Sequence, residues 1–139
     1  MRTVLAVSVV AALVSGCAIN QKAAPVRLAS SEEICVIEDP AVRSTFTASY
    51  IRLLRDRGFT VKRLEEGANL TTCPITTTYT ARWSHDFTIY LAFARLTVYR
   101  NGIQAGEAVY DAKGGGLRMD KWINADEKLS EMVDQLFPR

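Results

Sequence analysis

The sequence has a single histidine, only three cysteines and no marked excess of charge of either sign. With 17 basic residues against 15 acidic ones, the formal charge is +2, which gives no electrostatic case for binding nucleic acid. His85 is the only imidazole, so any imidazole-based chemistry has to use it. After residue 14 no apolar run approaches the roughly 20 residues needed to cross a bilayer. What is present is ordinary for one globular domain: 139 residues, 48% of them hydrophobic.

The first residues have the three parts of an export signal. Arg2 lies beside the free amine, an apolar run extends from Val4 to Val14, and the small residues Ser15 and Gly16 follow. The tetrapeptide Val14-Ser15-Gly16-Cys17 resembles the lipobox of bacterial lipoprotein precursors. That resemblance implies removal of residues 1–16 and a diacylglycerol thioether on Cys17, with a third acyl chain on its amino group in Gram-negative bacteria. Two or more chains give an anchor that does not dissociate on biological timescales, at about 0.8 kcal/mol per buried methylene. Ala18 is not the aspartate of an inner-membrane retention signal, so the resemblance implies the outer membrane, on its periplasmic side.

Residues 17–31 hold few large apolar side chains and include Ala23-Ala24-Pro25, so they are expected to form the lipidated cysteine and a flexible tether. A single domain is expected over 32–139. Ile34–Ile37 predicts a strand. Asp39-Pro40 then has the form of a helix start, and Val42, Phe46, Tyr50, Leu53 and Leu54 recur at helical spacing up to a stop at Gly58. Arg52, Arg55 and Arg57 are expected on the solvated face of that helix, with contact to anionic lipid as the alternative.

A second strand is expected at Phe59–Leu64 and a third at Ile75–Trp83, where Ile75, Tyr79, Ala81 and Trp83 share one face and Thr76, Thr78, Thr80 and Arg82 the other. A hairpin over Phe87–Ala112 should turn at Asn101-Gly102, which sets Phe93 opposite Tyr110 and Leu96 opposite Glu107. Ala94, Leu96 and Val98 fall on one face of it, and Ile89, Leu91 and Phe93 on the other. The last helix should start near Asn124, with Glu127 at capping-box spacing and Leu129, Met132, Val133 and Leu136 as its buried stripe. The order β-α-β-β-β-β-α predicts an α+β two-layer sandwich, with a mostly antiparallel five-stranded sheet covered on one face by two helices.

Cys35 and Cys73 are the cysteines left once Cys17 is lipidated, in a compartment that oxidises thiols. A bridge between them would close a loop of about 38 residues, worth roughly 4 kcal/mol in the chain-entropy model; two separate thiols are the alternative. Neither a metal site nor a cofactor is expected, because the two cysteines lack enough neighbouring ligands. Ser84-His85-Asp86 has the residue types of a hydrolytic triad, but neighbours along a strand or turn point in different directions. Gly114-Gly115-Gly116 lacks the Lys-Ser or Lys-Thr of a phosphate loop and is expected to be a flexible connection. Arg118, Lys121 and Trp122, beside Asp120, form a candidate binding surface, with Trp122 either closing the edge of the core or meeting a partner.

Several segments together resemble a family of small uncharacterised proteobacterial lipoproteins: Ile34-Cys35-Val36 ahead of Pro40, Arg57-Gly58-Phe59, Cys73 before the Thr- and Tyr-rich strand, Tyr99-Arg100-Asn101-Gly102, and Gly114-Gly115-Gly116-Leu117 leading to Lys121-Trp122. The family's paired cysteines match Cys35 and Cys73, and the resemblance brings no catalytic residues. The expected function is a non-enzymatic, membrane-anchored periplasmic module that binds an envelope protein or serves envelope assembly. A small-molecule or glycan-binding lipoprotein is the alternative. An enzyme comes third, with a cleft assembled from His85, Asp86 and Asp111 or Asp120. Intact-mass analysis of the native mature protein should find an acylated Cys17 as the first residue and no alkylatable thiol without reductant. Two alkylatable thiols would show Cys35 and Cys73 unpaired.

Overall fold

The computed structural model describes residues 19–29, 31–112 and 124–139. The expected export signal, Cys17, Gly114–Gly116, Arg118, Asp120, Lys121 and Trp122 therefore lie outside the described residues. The elements in chain order are β1 (Asn20–Ala24), β2 (Glu33–Ile37), α1 (Ser44–Asp56), β3 (Thr60–Leu64), β4 (Ile75–Asp86), β5 (Thr88–Arg100), β6 (Ile103–Asp111) and α2 (Ala125–Leu136). They form an α+β domain with one six-stranded sheet, ordered β1-β6-β5-β4-β2-β3. Both helices pack on the same face, over a core that includes Ile34, Val36, Phe46, Tyr50, Leu54, Leu96, Leu129 and Met132.

The sheet has six strands rather than the five of the mostly antiparallel sheet expected, and it is mixed. β2 is parallel to β3, because α1 carries the chain back between them, and β2 is also parallel to β4. β3 and β4 thus run the same way, so residues 65–74 return the chain along the sheet. They do so on the face that the helices leave bare. Cys35, between the core residues Ile34 and Val36, points to that face and is bonded to Cys73, with the two Cα atoms 6.2 Å apart. The Thr76 hydroxyl also donates to the Leu70 carbonyl there, at 3.3 Å.

The sixth strand comes from the segment expected to be a tether. β1 pairs antiparallel with β6, Asn20 opposite Asp111 and Ala24 opposite Glu107. Its sequence, Asn-Gln-Lys-Ala-Ala, has no hydrophobic alternation because it lies at a sheet edge and is held mostly by backbone bonds and polar side chains. Gln21 donates to Gln135 at 3.0 Å and accepts from Lys128 at 3.2 Å. Val26 is buried, and its N–H donates to the Leu136 carbonyl at 2.8 Å.

Two bulges alter the expected register. Near the turn, Tyr99 faces Gln104 and Arg100 faces Ile103, as Asn101-Gly102 requires, and both turn residues have positive φ, 51° and 80°. Ala105 is an extra residue on β6, so beyond it Phe93 faces Asp111 rather than Tyr110, and Leu96 faces Ala108 rather than Glu107. Ala92 is extra on β5 in its pairing with β4, where Arg82 faces Phe93 but Trp83 faces Leu91. The change of parity turns Leu91 to the core side with Ala94, Leu96 and Val98, and leaves Phe93 on the opposite face.

Helix ends follow local chemistry. α2 starts as expected, the Asn124 side chain accepting from Asp126 N–H at 2.9 Å. α1 starts at Ser44 instead of Pro40, because Asp39 closes a turn of its own. Its carboxylate accepts from Ala41 N–H at 2.9 Å and its carbonyl from Val42 N–H at 3.1 Å. α1 ends at Gly58, where φ is 95°. Arg57 does not belong to the solvated face: its side chain is 10% exposed, and it donates to the Phe137 carbonyl and the Asp134 carboxylate, joining the two helices. Arg52, by contrast, is exposed and 3.6 Å from Asp56.

The docking of β1 depends on a close approach at Gly106. A Cβ there would lie 2.9 Å from the Ala24 carbonyl oxygen, 3.0 Å from Val26 Cβ and 3.2 Å from Leu136 Cδ1. Gly106→Ala should therefore push out residues 20–26 and destabilise the domain by about 1–3 kcal/mol in denaturant unfolding. Amide exchange should accelerate in β1 while the β4–β5 ladder stays protected.

Candidate functional site

β2 is the point where the chain's connections diverge. Helix α1 leaves its carboxyl end over one face, and the 65–74 connector runs over the other. In sheets with parallel strands, a crevice opens outside the carboxyl ends at such a reversal. A cleft of about 690 Å³ lies there, lined by Glu38, Asp39 and Arg43 from the β2–α1 turn, Thr47 from α1, Tyr79 from β4, and Arg63, Glu65 and Glu66 from the end of β3.

The floor of the cleft is a closed set of hydrogen bonds. Tyr79 Oη lies 2.7 Å from Thr47 Oγ1 and accepts from Asp39 N–H at 3.2 Å, so it fixes the turn that forms the rim. One helical turn deeper, Tyr50 Oη is 2.7 Å from Thr77 Oγ1. The Thr77 hydroxyl donates to the Thr97 carbonyl at 2.9 Å, which leaves Tyr50 as the donor to Thr77. On the rim, Glu38 and Arg63 form an ion pair, with Nε to carboxylate 2.6 Å. The Arg43 guanidinium lies 4.4 Å from the centre of the Trp83 ring.

The structure separates the residues of the Ser84-His85-Asp86 run. They occupy the last positions of β4, where strand alternation puts His85 on the helix side and Ser84 and Asp86 on the other. Asp111 is on the bare face opposite Phe93, so it too lies across the sheet from His85. His85 is exposed. Among the described residues, the Glu33 carboxylate lies with the sulfurs of Cys35 and Cys73 in a metal-sized cluster, but those sulfurs are bonded to each other and offer no thiolates. Arg118, Lys121 and Trp122 lie outside the described residues. The cleft residues Tyr79, Thr47 and Arg43 gave no separate signal in the sequence, since a core-facing tyrosine and a helix threonine resemble packing residues. Arg63 beside Glu38 required knowledge that β2 and β3 pair in parallel.

The bare sheet face carries a second arrangement. Phe93 lies under two guanidinium groups, Arg82 at 4.3 Å and Arg95 at 5.6 Å, and Arg95 is 3.8 Å from Glu107. Lys22 and Asp111 flank them around a hollow of about 540 Å³.

No family model and no curated protein matches this sequence. Among solved structures, the domain is an α+β sandwich of the same fold as PelC dodecamers from Paraburkholderia phytofirmans. One, a point variant, is 13% identical at a TM-score of 0.58 over 88% of this chain and 99% of that chain. Another is 14% identical at 0.57, over 86% and 98%. The likeness concerns the fold. No helix among the described residues is long and apolar enough to cross a membrane.

Burial holds the Tyr50 hydroxyl far above the ordinary phenol range, the bond to Thr77 lowers it in part and the nearby Tyr79 raises it further. The unfolded chain's phenol ionises from about pH 10 while the folded one stays protonated. This contribution is therefore complete below pH 10 and lost as pH rises, by about 1.4 kcal/mol per unit. Tyr50→Phe should cost about 1–2 kcal/mol at neutral pH. In denaturant unfolding between pH 9 and 11, it should also flatten the alkaline loss of stability relative to the parent.

Proposed function

We propose that the mature domain is a non-enzymatic, lipid-anchored periplasmic module, held at the outer membrane by Cys17, whose bare sheet face binds a protein of the envelope. The observation that carries this reading is that face: half a sheet with no helix over it among the described residues, with Phe93 set between Arg82 and Arg95 and charges of both signs around it. Arginine and aromatic side chains of this kind dominate protein contacts, because both bury large areas and the rings lose little freedom on binding. The short path from residue 17 to β1 would keep a domain anchored at Cys17 against the surface that carries the lipid. PelC forms dodecamers on the same fold, which makes a second copy of this chain the first partner to test.

The test is native mass spectrometry of the lipidated protein in detergent, together with crosslinking in intact cells. The expected result is a specific assembly or a specific crosslinked envelope protein. Arg82→Glu combined with Arg95→Glu should weaken either at least about tenfold, or about 1.4 kcal/mol, with the thermal midpoint little changed. A monomer with no specific crosslink, or an assembly indifferent to the double reversal, would refute it.

The cleft at the carboxyl end of β2 favours one second reading, recognition of a small molecule or glycan, because it joins a fixed hydroxyl floor to a charged rim. Thermal-shift measurements with peptidoglycan fragments separate the two. A ligand at 100 times its Kd adds about 2.7 kcal/mol to stability.

A further inference from the structure

We infer that the tip of the β4–β5 hairpin is a second membrane contact, inserting Phe87 and Ile89 into the lipid surface that holds Cys17; this rests on the lipid-anchored reading above. Four residues form one line across the sheet: Asn20 pairs with Asp111, Asp111 with Phe93, and Phe93 with Arg82. β1 runs away from this line toward Ala24, so the chain before Asn20 leaves at the line's outer side. Cys17 is three residues earlier, which limits it to about 11 Å beyond the line even if fully extended.

The hairpin projects beyond the same line and to the same side. Past Arg82 and Phe93, β4 and β5 continue together through Trp83–Asp86 and Thr88–Ala92, a protrusion of about 13–16 Å at ~3.3 Å per residue. The tip therefore reaches about as far from the fold as the sulfur that carries the acyl chains. A domain fastened at Cys17 brings this tip to the depth of the headgroups or below.

The chemistry of the protrusion suits that depth. Phe87 is 84% exposed and Ile89 58%, large apolar exposures for a turn, with Ile89 edging a hollow that Arg43 and the start of α2 at Asn124 and Ala125 also line. Behind them stand Trp83 and Tyr90, partly buried, amphipathic rings of the type that collects at membrane interfaces. Arg43, over Trp83, and Arg82, over Phe93, bring cations to the same level. The other end of the sheet supplies an internal control. Ile103 is 75% exposed at the Asn101-Gly102 turn, eight residues along β6 from Asp111, about 26 Å from the line.

The experiment places a benzoylphenylalanine photocrosslinker at position 87, 89 or 103 of the full mature lipidated protein, in vesicles of phosphatidylethanolamine and phosphatidylglycerol. After irradiation, adducts are read by mass spectrometry, and the intact mass reports acylation of Cys17 in the same sample. Phospholipid adducts at 87 and 89, with none at 103, are the expected result. If Cys17 is acylated and neither tip position yields a lipid adduct, the inference fails while the anchor stands. Adducts that join position 87 to a second copy of the chain overturn it as well. An unacylated Cys17 removes both the anchor and the contact built on it.

Discussion

The arrangement of this domain depends on β2 being enclosed from both sides. Ile34 and Val36 face α1 and the core, while Cys35 is bonded through the opposite face to Cys73. A strand buried in this way can only sit inside the sheet, with a parallel neighbour on each side. The covalent bond fixes the connector that makes this possible, because residues 65–74 contain no helix whose packing would hold them. The bond also sets where β4 begins, and so the direction in which β4 and β5 extend past the remaining strands.

One end of the molecule gathers most of the distinctive features as a result. β2 and β3 finish there, α1 starts there, β1 starts there, and the β4–β5 hairpin projects from it. The cleft, the stacked Arg43–Trp83 pair and the exposed tip therefore share the end at which the chain enters, with β1 and the cleft at opposite edges of the sheet. The far end holds the Asn101-Gly102 turn and the joined helix ends at Arg57, Asp134 and Phe137. This polarity suits the proposed module, whose attachment and membrane contact would lie at the same end as the cleft.

Much of the secondary structure was legible because it is local. The stripe of Leu129, Met132, Val133 and Leu136, the cap at Asn124, the stop at Gly58 and the positive φ values at Asn101-Gly102 each follow from residues within one or two turns of each other. The start of α1 was misread because Asp39 satisfies a turn of its own before the helix begins. β1 left no trace in the hydrophobic pattern, since Asn20–Ala24 is an edge strand secured by its ladder to β6 and by Gln21. The candidate cleft was not legible at all. Thr47, Tyr79 and Arg63 belong to three elements, and only the strand order brings them together.

From the chain alone came the expectation of an export signal with a lipobox-like cysteine, and also the α+β class, the helix stripes, the β5–β6 turn and the pairing expected of Cys35 with Cys73. These rest on short-range chemistry: side-chain period, turn geometry and the even count of thiols left if Cys17 is lipidated as expected. The tertiary structure decided the sixth strand, the parallel pairs around β2, the face on which Leu91 and Phe93 lie, and the end from which the hairpin projects. The physical reason is that strand adjacency is a long-range choice, and that a single extra residue such as Ala92 or Ala105 reverses which side of the sheet every later residue faces.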